Sequence, residues 1–240
     1  MTTAGEFKST YYDRGEFDNC LTATHEELLG RAQDDPERDE LLALIGWCHY
    51  RKGEYEVARE WFTEAGQVSF AREGLAYLAV YIDKDDVAFS ELARNLGDRV
   101  NVQNALVIRA RDLDSAISHQ QVLDAVCRFK EDTVETANLY HNAGRFFFHK
   151  ARQQEDLVLA VGLYFMAQIR YGVDRNWHHR GALNYWLSRA LEDLVDKRAA
   201  LEAARESLNC WTQQVILDPG TERHKQQWEN AMNRIRELMA

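Results

Sequence analysis

The stretch HYRKGEYEVA, residues 49–58, decides how this chain folds. An earlier stretch, YYDRGEFDNC at residues 11–20, has the same order of residue types: aromatic residues, a basic residue, Gly-Glu-aromatic, and a small residue three positions later. Gly15 and Gly53 therefore hold equivalent places in two similar turns. A turn that occurs twice in this form indicates a structural unit that the chain uses more than once.

Helical periodicity lies on both sides of the turn at Gly53. Apolar residues before it recur at intervals of three and four, the spacing of one helix face: Leu41, Leu44, Ile45 and Cys48. A second face follows it: Tyr55, Ala58, Trp61, Phe62 and Ala65. The turn is therefore predicted to be the corner of a helical hairpin, in which glycine supplies the backbone freedom that the corner needs.

The rest of the chain also predicts helices. It has only two prolines, Pro36 and Pro219, and so few helix breakers favour helix over strand. The sequence Asp-Pro-Gly-Thr at residues 218–221 is expected to interrupt the chain, and the Thr221 hydroxyl is expected to cap a last amphipathic helix.

Two segments resemble the tetratricopeptide repeat (TPR), whose helices carry W-x-x-L-G-x-x-Y and then A-x-x-x-F. The first match comprises Leu42, Ile45, Gly46 and His49, followed by Ala58, Phe62 and Ala65. The second comprises Tyr140, Ala143, Gly144 and Phe147, followed by Ala160, Tyr164 and Ala167. The first match departs from the pattern at Leu42 and His49, where the family has a large aromatic residue and tyrosine, and it lacks the closing proline.

The resemblance implies an all-α fold, a right-handed superhelical solenoid of antiparallel helix hairpins. A single hairpin cannot bury its own apolar face, so such hairpins stack. We expect one TPR-like domain over residues 1–240, with approximate repeats at 4–34, 39–68, 69–100, 101–132, 137–172 and 180–216 and a capping helix at 221–239.

The charge of the chain is uneven. The formal net charge is -10, and the whole acidic excess falls within residues 1–120. This argues against nucleic acid as the main ligand, because phosphate neutralisation needs a basic face. It also predicts that a partner of residues 1–120 presents basic residues.

No familiar catalytic or cofactor signature occurs in the sequence. His-Glu-x-x-His, Gly-x-x-x-x-Gly-Lys, Gly-x-Gly-x-x-Gly and Gly-x-Ser-x-Gly are all missing, so we expect no enzyme, no cofactor and no metal. His178 and His179 diverge by about 100° on a helix, and a solvated helix start is the expected reading. The apolar runs are too short to span a membrane, and the four scattered cysteines predict a cytoplasmic protein.

The register of the family directs two sets of side chains towards the concave groove. The first set is mostly aromatic and is expected to carry binding energy: Trp47, Tyr50, Arg51, Tyr77 and Tyr81. The second set is a polar stripe expected to orient a peptide: Asn138, His141, Asn142, Arg145 and His149. The alternatives are that the rings are core and that the stripe is an ordinary solvated helix face.

These features predict a protein–protein interaction module, an adaptor that binds a peptide or protein segment in the groove. Two other functions stay open. One is a regulator of the same fold that binds nucleic acid or a signalling peptide. The other is a helical enzyme with an unrecognised site.

Overall fold

A computed structural model describes residues 2–94, 96, 99–112, 117–172 and 177–240. The described residues contain helices and no strand, so the all-α prediction is confirmed. The α-helices are α1 Ala4–Thr10, α2 Phe17–Leu29, α3 Pro36–Lys52, α4 Tyr55–Glu64, α5 Ser69–Leu78, α6 Asp86–Arg94, α7 Val100–Asp112, α8 His119–Arg128, α9 Val134–Lys150, α10 Gln154–Tyr171, α11 Trp177–Asp193, α12 Lys197–Leu217 and α13 Glu222–Met239. A 3-10 turn at Tyr12–Arg14 and a π-helical segment at Ala79–Asp83 complete the described helices.

The chain divides into two compact units, Met1–Ala105 (unit 1) and Leu106–Ala240 (unit 2). In unit 1, each of the helices α1 to α6 packs against the next, and α3 also contacts α5. In unit 2, α8 to α13 pack in sequence in the same way, α9 contacts α11, and α11 contacts α13. The neighbours of a helix within each unit are therefore the helices closest to it in the chain.

The two similar turns of the sequence have the same hydrogen-bonded structure. Gly15 and Gly53 have φ angles of 80° and 87°, in the left-handed region that favours glycine. In both turns the glycine N–H donates to the carbonyl three residues earlier, and the following glutamate N–H donates to the carbonyl five residues earlier, at 3.0–3.1 Å. This is the Schellman helix ending, which satisfies carbonyls that the helix itself leaves without donors.

Aromatic rings pack directly on glycines where neighbouring helices meet. A methyl group at Gly46 of α3 would place its carbon 2.6 Å from Cδ1 of Phe62 on α4. The same construction gives 2.7 Å between Gly144 of α9 and Tyr164 Cε1, and 2.7 Å between Gly181 of α11 and Trp211 Cε2. Each pair of helices therefore approaches at a point where only glycine leaves room for the ring.

The last helix begins where the sequence predicts, but its expected cap is wrong. The first residue of α13 is Glu222, directly after Thr221. The Thr221 hydroxyl makes no capping bond and instead donates to Asp218 Oδ2 at 2.9 Å. The buried Asp218 carboxylate takes this donor because an unpaired buried charge is more costly than an uncapped helix start.

Val195 occupies a third Schellman ending without a glycine. Its φ angle is 66°, and the N–H groups of Val195 and Asp196 donate to Glu192 O and Leu191 O at 2.8 and 2.9 Å. The Val195 side chain is 85% exposed, so it contributes little packing there. A β-branched residue in the left-handed region is strained.

Replacing Val195 with glycine should therefore raise the free energy of unfolding by about 1 kcal/mol. Chemical denaturation of the two proteins measures the difference. Val87→Gly is the control, because Val87 is also exposed but belongs to the first turn of α6, where glycine relieves no strain and should destabilise the protein. A loss of stability with Val195→Gly would contradict the strain.

Candidate functional site

Three of the predicted groove rings are buried in unit 1. Trp47, Tyr50 and Tyr77 are only 3%, 6% and 7% exposed. The ring of Trp47 lies 5.3–5.6 Å, centroid to centroid, from those of Tyr50, Phe62, Phe70 and Tyr77, and its Nε1 donates to Phe70 O at 3.0 Å. The expectation that these three rings lie on an open surface is wrong, because they pack on one another and against Phe62 and Phe70.

Arg51 and Tyr81 remain half-buried. Arg51 Nε donates to the hydroxyl of the buried Tyr12 at 2.8 Å, and the guanidinium lies 5.8 Å from the centroid of that ring. Arg51 therefore ties α3 to the 3-10 turn that carries Tyr12. Tyr81 lies in the π-helical segment, with Lys84 Nζ 5.5 Å from its ring centroid.

The polar residues of α9 come together on one surface of unit 2. We name the set Asn138, His141, Asn142, Arg145 and His149 the α9 stripe. Asn138, Asn142 and Arg145 are half-buried and His149 is exposed, so a partner can reach these four, whereas His141 is buried.

Three other helices support the α9 stripe. The hydroxyl of Tyr171 on α10 donates to Asn138 Oδ1 at 2.7 Å. Nη1 of Arg111 on α7 donates to Asn142 Oδ1 at 3.1 Å. On α11, the Trp186 ring lies 4.5 Å from the guanidinium carbon of Arg145 and 5.0 Å from the ring centroid of His149. These contacts fix the orientation of the stripe before any partner binds.

Guanidinium groups dominate the electrostatics of the stripe. Burial lowers the pKa of His141 well below its ordinary value, and the charges of Arg145 and Arg111 lower it further. Burial and the charges of Arg145, Arg111 and Arg189 lower the pKa of His149 to about 4, against the opposing effect of Asp112. Both histidines are therefore neutral at pH 7, and the positive charges beside them favour an anion, although the Asp112 carboxylate offsets the charge of Arg111 by accepting from its Nε and Nη2.

One buried polar atom of the stripe and one beside it lack hydrogen-bond partners among the described residues. His141 Nε2 and the Tyr164 hydroxyl form no hydrogen bond with the described residues, and the centroids of their rings lie 5.9 Å apart. Burial raises the pKa of Tyr164 above its ordinary value, so its hydroxyl keeps its proton. Unsatisfied buried polar atoms are rare, so this region of unit 2 has spare hydrogen-bonding capacity for water or for a partner.

Lowering the pH should weaken unit 2 through these histidines. Below pH 6.5 these two histidines bind protons in the unfolded chain, whereas in the folded chain their lowered pKa values keep them neutral. The free energy of unfolding therefore falls as the pH falls. The contribution of buried His141 is at most about 1.4 kcal/mol per pH unit. Denaturation at pH 7 and pH 5 should show a smaller difference for His141→Gln than for the wild type, and equal differences would contradict this origin.

The sequence prediction missed Arg111, Trp186 and Arg189. A signal for one of them exists in the chain. Trp186 comes five residues after Gly181, as His149 comes five residues after Gly144. Aligning α9 and α11 on the glycines that contact an aromatic ring would have placed Trp186 beside the stripe. No local sequence feature identifies the two arginines.

The neighbouring histidines of α11 are structural, and the expectation of a solvated helix start is wrong. His178 and His179 are both 6% exposed, and His179 stacks on Tyr171 with ring centroids 5.1 Å apart. His178 Nδ1 lies 3.2 Å from Nε2 of His224, whose Nδ1 lies 3.4 Å from Asp218 Oδ2. This buried chain of side chains joins α11 to the start of α13. No cluster of three or more His, Cys, Asp or Glu in the described part of the chain could hold a metal ion.

None of the helices within the described ranges is long and apolar enough to cross a bilayer. No protein-family model matches the chain, and no curated protein matches it in sequence.

Proposed function

We propose that this chain is a protein-interaction adaptor that holds a peptide segment of its partner on the α9 stripe. The observation that carries the proposal is the accessible group of polar side chains on α9, held in place from α7, α10 and α11 in a field that favours an anion. The proposal includes a right-handed superhelical solenoid of TPR-like hairpins, which the ring-on-glycine contacts support. It also includes a cytoplasmic location, which the four free cysteines support.

The stripe offers two kinds of contact to an extended peptide. Tyr171 occupies the amide oxygen of Asn138, which leaves the Asn138 NH2 group to donate to a peptide carbonyl. Trp186 holds the guanidinium of Arg145 by a cation–π contact, and a guanidinium stacked on a ring can still donate from its edge. A carboxylate is the group that best matches such an edge, because it accepts two parallel hydrogen bonds.

The partner should therefore carry an acidic group for unit 2. The acidic excess of residues 1–120 predicts in addition that basic residues of the partner face that part of the chain. Exposed charges act over about 8–10 Å at physiological salt, so this second attraction should appear mainly in the association rate. An association rate that is the same at low and high salt would contradict it.

Selection from a random peptide library on the immobilised protein tests the proposal. Peptides with a side-chain or C-terminal carboxylate should be enriched, and Arg145→Ala should weaken the best of them by about tenfold or more, the value of a charge-assisted hydrogen bond. Arg152→Ala is the matched control, since Arg152 is exposed just beyond the end of α9. No enriched peptide, or equal binding by both variants, would overturn the proposal, provided that circular dichroism shows both variants folded.

A further inference from the structure

The outer face of α10 exposes an apolar stripe that none of the described residues covers. Val158, Phe165, Met166 and Ile169 are 58%, 48%, 40% and 70% exposed. Single exposed apolar residues are normal on any protein, but a contiguous group on one helix marks an interaction surface. The site on α9 uses none of these side chains.

The stripe has the geometry of a helix-pairing seam. Val158, Gly162, Phe165 and Ile169 follow each other at intervals of four, three and four residues, the spacing of one apolar seam in paired helices. Gly162 is exposed in the middle of this seam, and a methyl group there would meet no atom within 4 Å. Glycine is the least favourable residue in a helix interior apart from proline, and no contact within the described chain requires it here. A close approach by another backbone would require it.

The same helix also carries a cavity of about 360 Å³. Gln154, Glu155, Val158 and Leu159 line it. Val158, one of the residues that line the cavity, comes four residues before Gly162, and Phe165 comes three residues after it on the same side of the helix. If two copies of α10 cross antiparallel at Gly162, the half-exposed Phe165 ring of each copy lies close to Val158 of the other, beside the cavity. Because the ring and the cavity lie on opposite sides of Gly162 along the helix, the ring of each copy meets the cavity of the other in this crossing.

We propose that α10 is a self-association surface through which two copies of this chain form a two-fold symmetric dimer. In such an interface the same patch serves both partners. The antiparallel arrangement also brings the oppositely charged ends of the two helix dipoles together. This inference does not depend on the function proposed for the α9 stripe.

The exposed area indicates a weak dimer. The four side chains expose on the order of 300 Å² per copy, judged from their exposed fractions and typical side-chain areas. A standard interface buries about 800 Å² per partner, of which roughly 56% is apolar. The α10 stripe supplies somewhat less than that apolar share, so association should depend on protein concentration.

Sedimentation velocity of the full chain over roughly two decades of concentration tests the dimer. The wild type should shift from monomer towards dimer, and Ile169→Glu should stay monomeric. Ile216→Glu is the matched control, because Ile216 is exposed to a similar degree, 67% against 70%, on another helix of unit 2, and it should behave like the wild type. A wild type that is monomeric throughout, or equal loss of dimer in both variants, would overturn the proposal.

Cysteine cross-linking tests the crossing point. The background is Cys127→Ser, because Cys127 is an exposed free thiol. Gly162→Cys should give a disulfide-linked dimer on mild oxidation, since a residue on the two-fold axis lies close to its own copy. Gln168→Cys, on a side of α10 away from the seam, should give little. Equal yields at the two positions would show random collision and would overturn the antiparallel crossing.

Discussion

Replacing Trp47 with alanine should lower the free energy of unfolding by about 3–5 kcal/mol, as for other buried aromatic residues. The indole is 3% exposed, contacts four other rings and donates a hydrogen bond to a backbone carbonyl. Truncation removes the apolar contacts, leaves a cavity and deprives the Phe70 carbonyl of its donor. Urea denaturation of wild type and variant measures the loss.

Tyr81→Ala is the control for this change, because Tyr81 was predicted for the same groove but is half-buried. Tyr81→Ala should lower the free energy of unfolding by clearly less than Trp47→Ala does. Comparing the two variants also shows whether the Trp47 ring belongs to the core or to a binding surface. A Trp47→Ala protein of unchanged stability that had lost affinity for a partner would restore the surface interpretation of this ring.

The helices and corners of this fold could be predicted because their signals are local. A Schellman ending needs one residue in the left-handed region, and glycine at positions 15 and 53 shows that directly. Gly46 and Phe62 both belong to the first match to the repeat pattern, but their contact is seen only in the structure. Val195 is an exception, since a valine in the sequence gives no sign that the backbone has a positive φ at that position.

The surroundings of the site could not be predicted in the same way. The apolar spacing identifies Trp47 as a residue on a helix face, but not that Phe70 of α5 lies over it. Arg111 reaches Asn142 across a separation of 31 residues, and no period or motif in the sequence connects them. The α9 stripe itself was found from helical spacing, because all five residues lie on one helix. Arg111 and Arg189, which add to the charge of Arg145, come from other helices.

Two glycines in adjacent helices of unit 2 should respond to alanine with opposite signs. A methyl group at Gly144 would lie 2.7 Å from Tyr164 Cε1 and 3.2 Å from the Ala160 carbonyl oxygen, so α9 and α10 would have to separate. At Gly162 the same methyl group meets nothing within 4 Å. We expect Gly144→Ala to lower the free energy of unfolding by about 1–3 kcal/mol through overpacking, and Gly162→Ala to raise it by about 1 kcal/mol through helix propensity.

Each variant serves as the control for the other, since both exchange the same residue types in the middle of a long helix of the same unit. Thermal and chemical denaturation, at a concentration low enough to keep the chain monomeric, measure the two changes. Because Gly144 is adjacent to Arg145, separating α9 from α10 should also displace the stripe, and Gly144→Ala should bind the selected peptides more weakly than Gly162→Ala. If both variants were stabilised by the same amount, Tyr164 would not pack on Gly144, and one of the two ring-on-glycine contacts of unit 2 would no longer support the proposed stacking of hairpins.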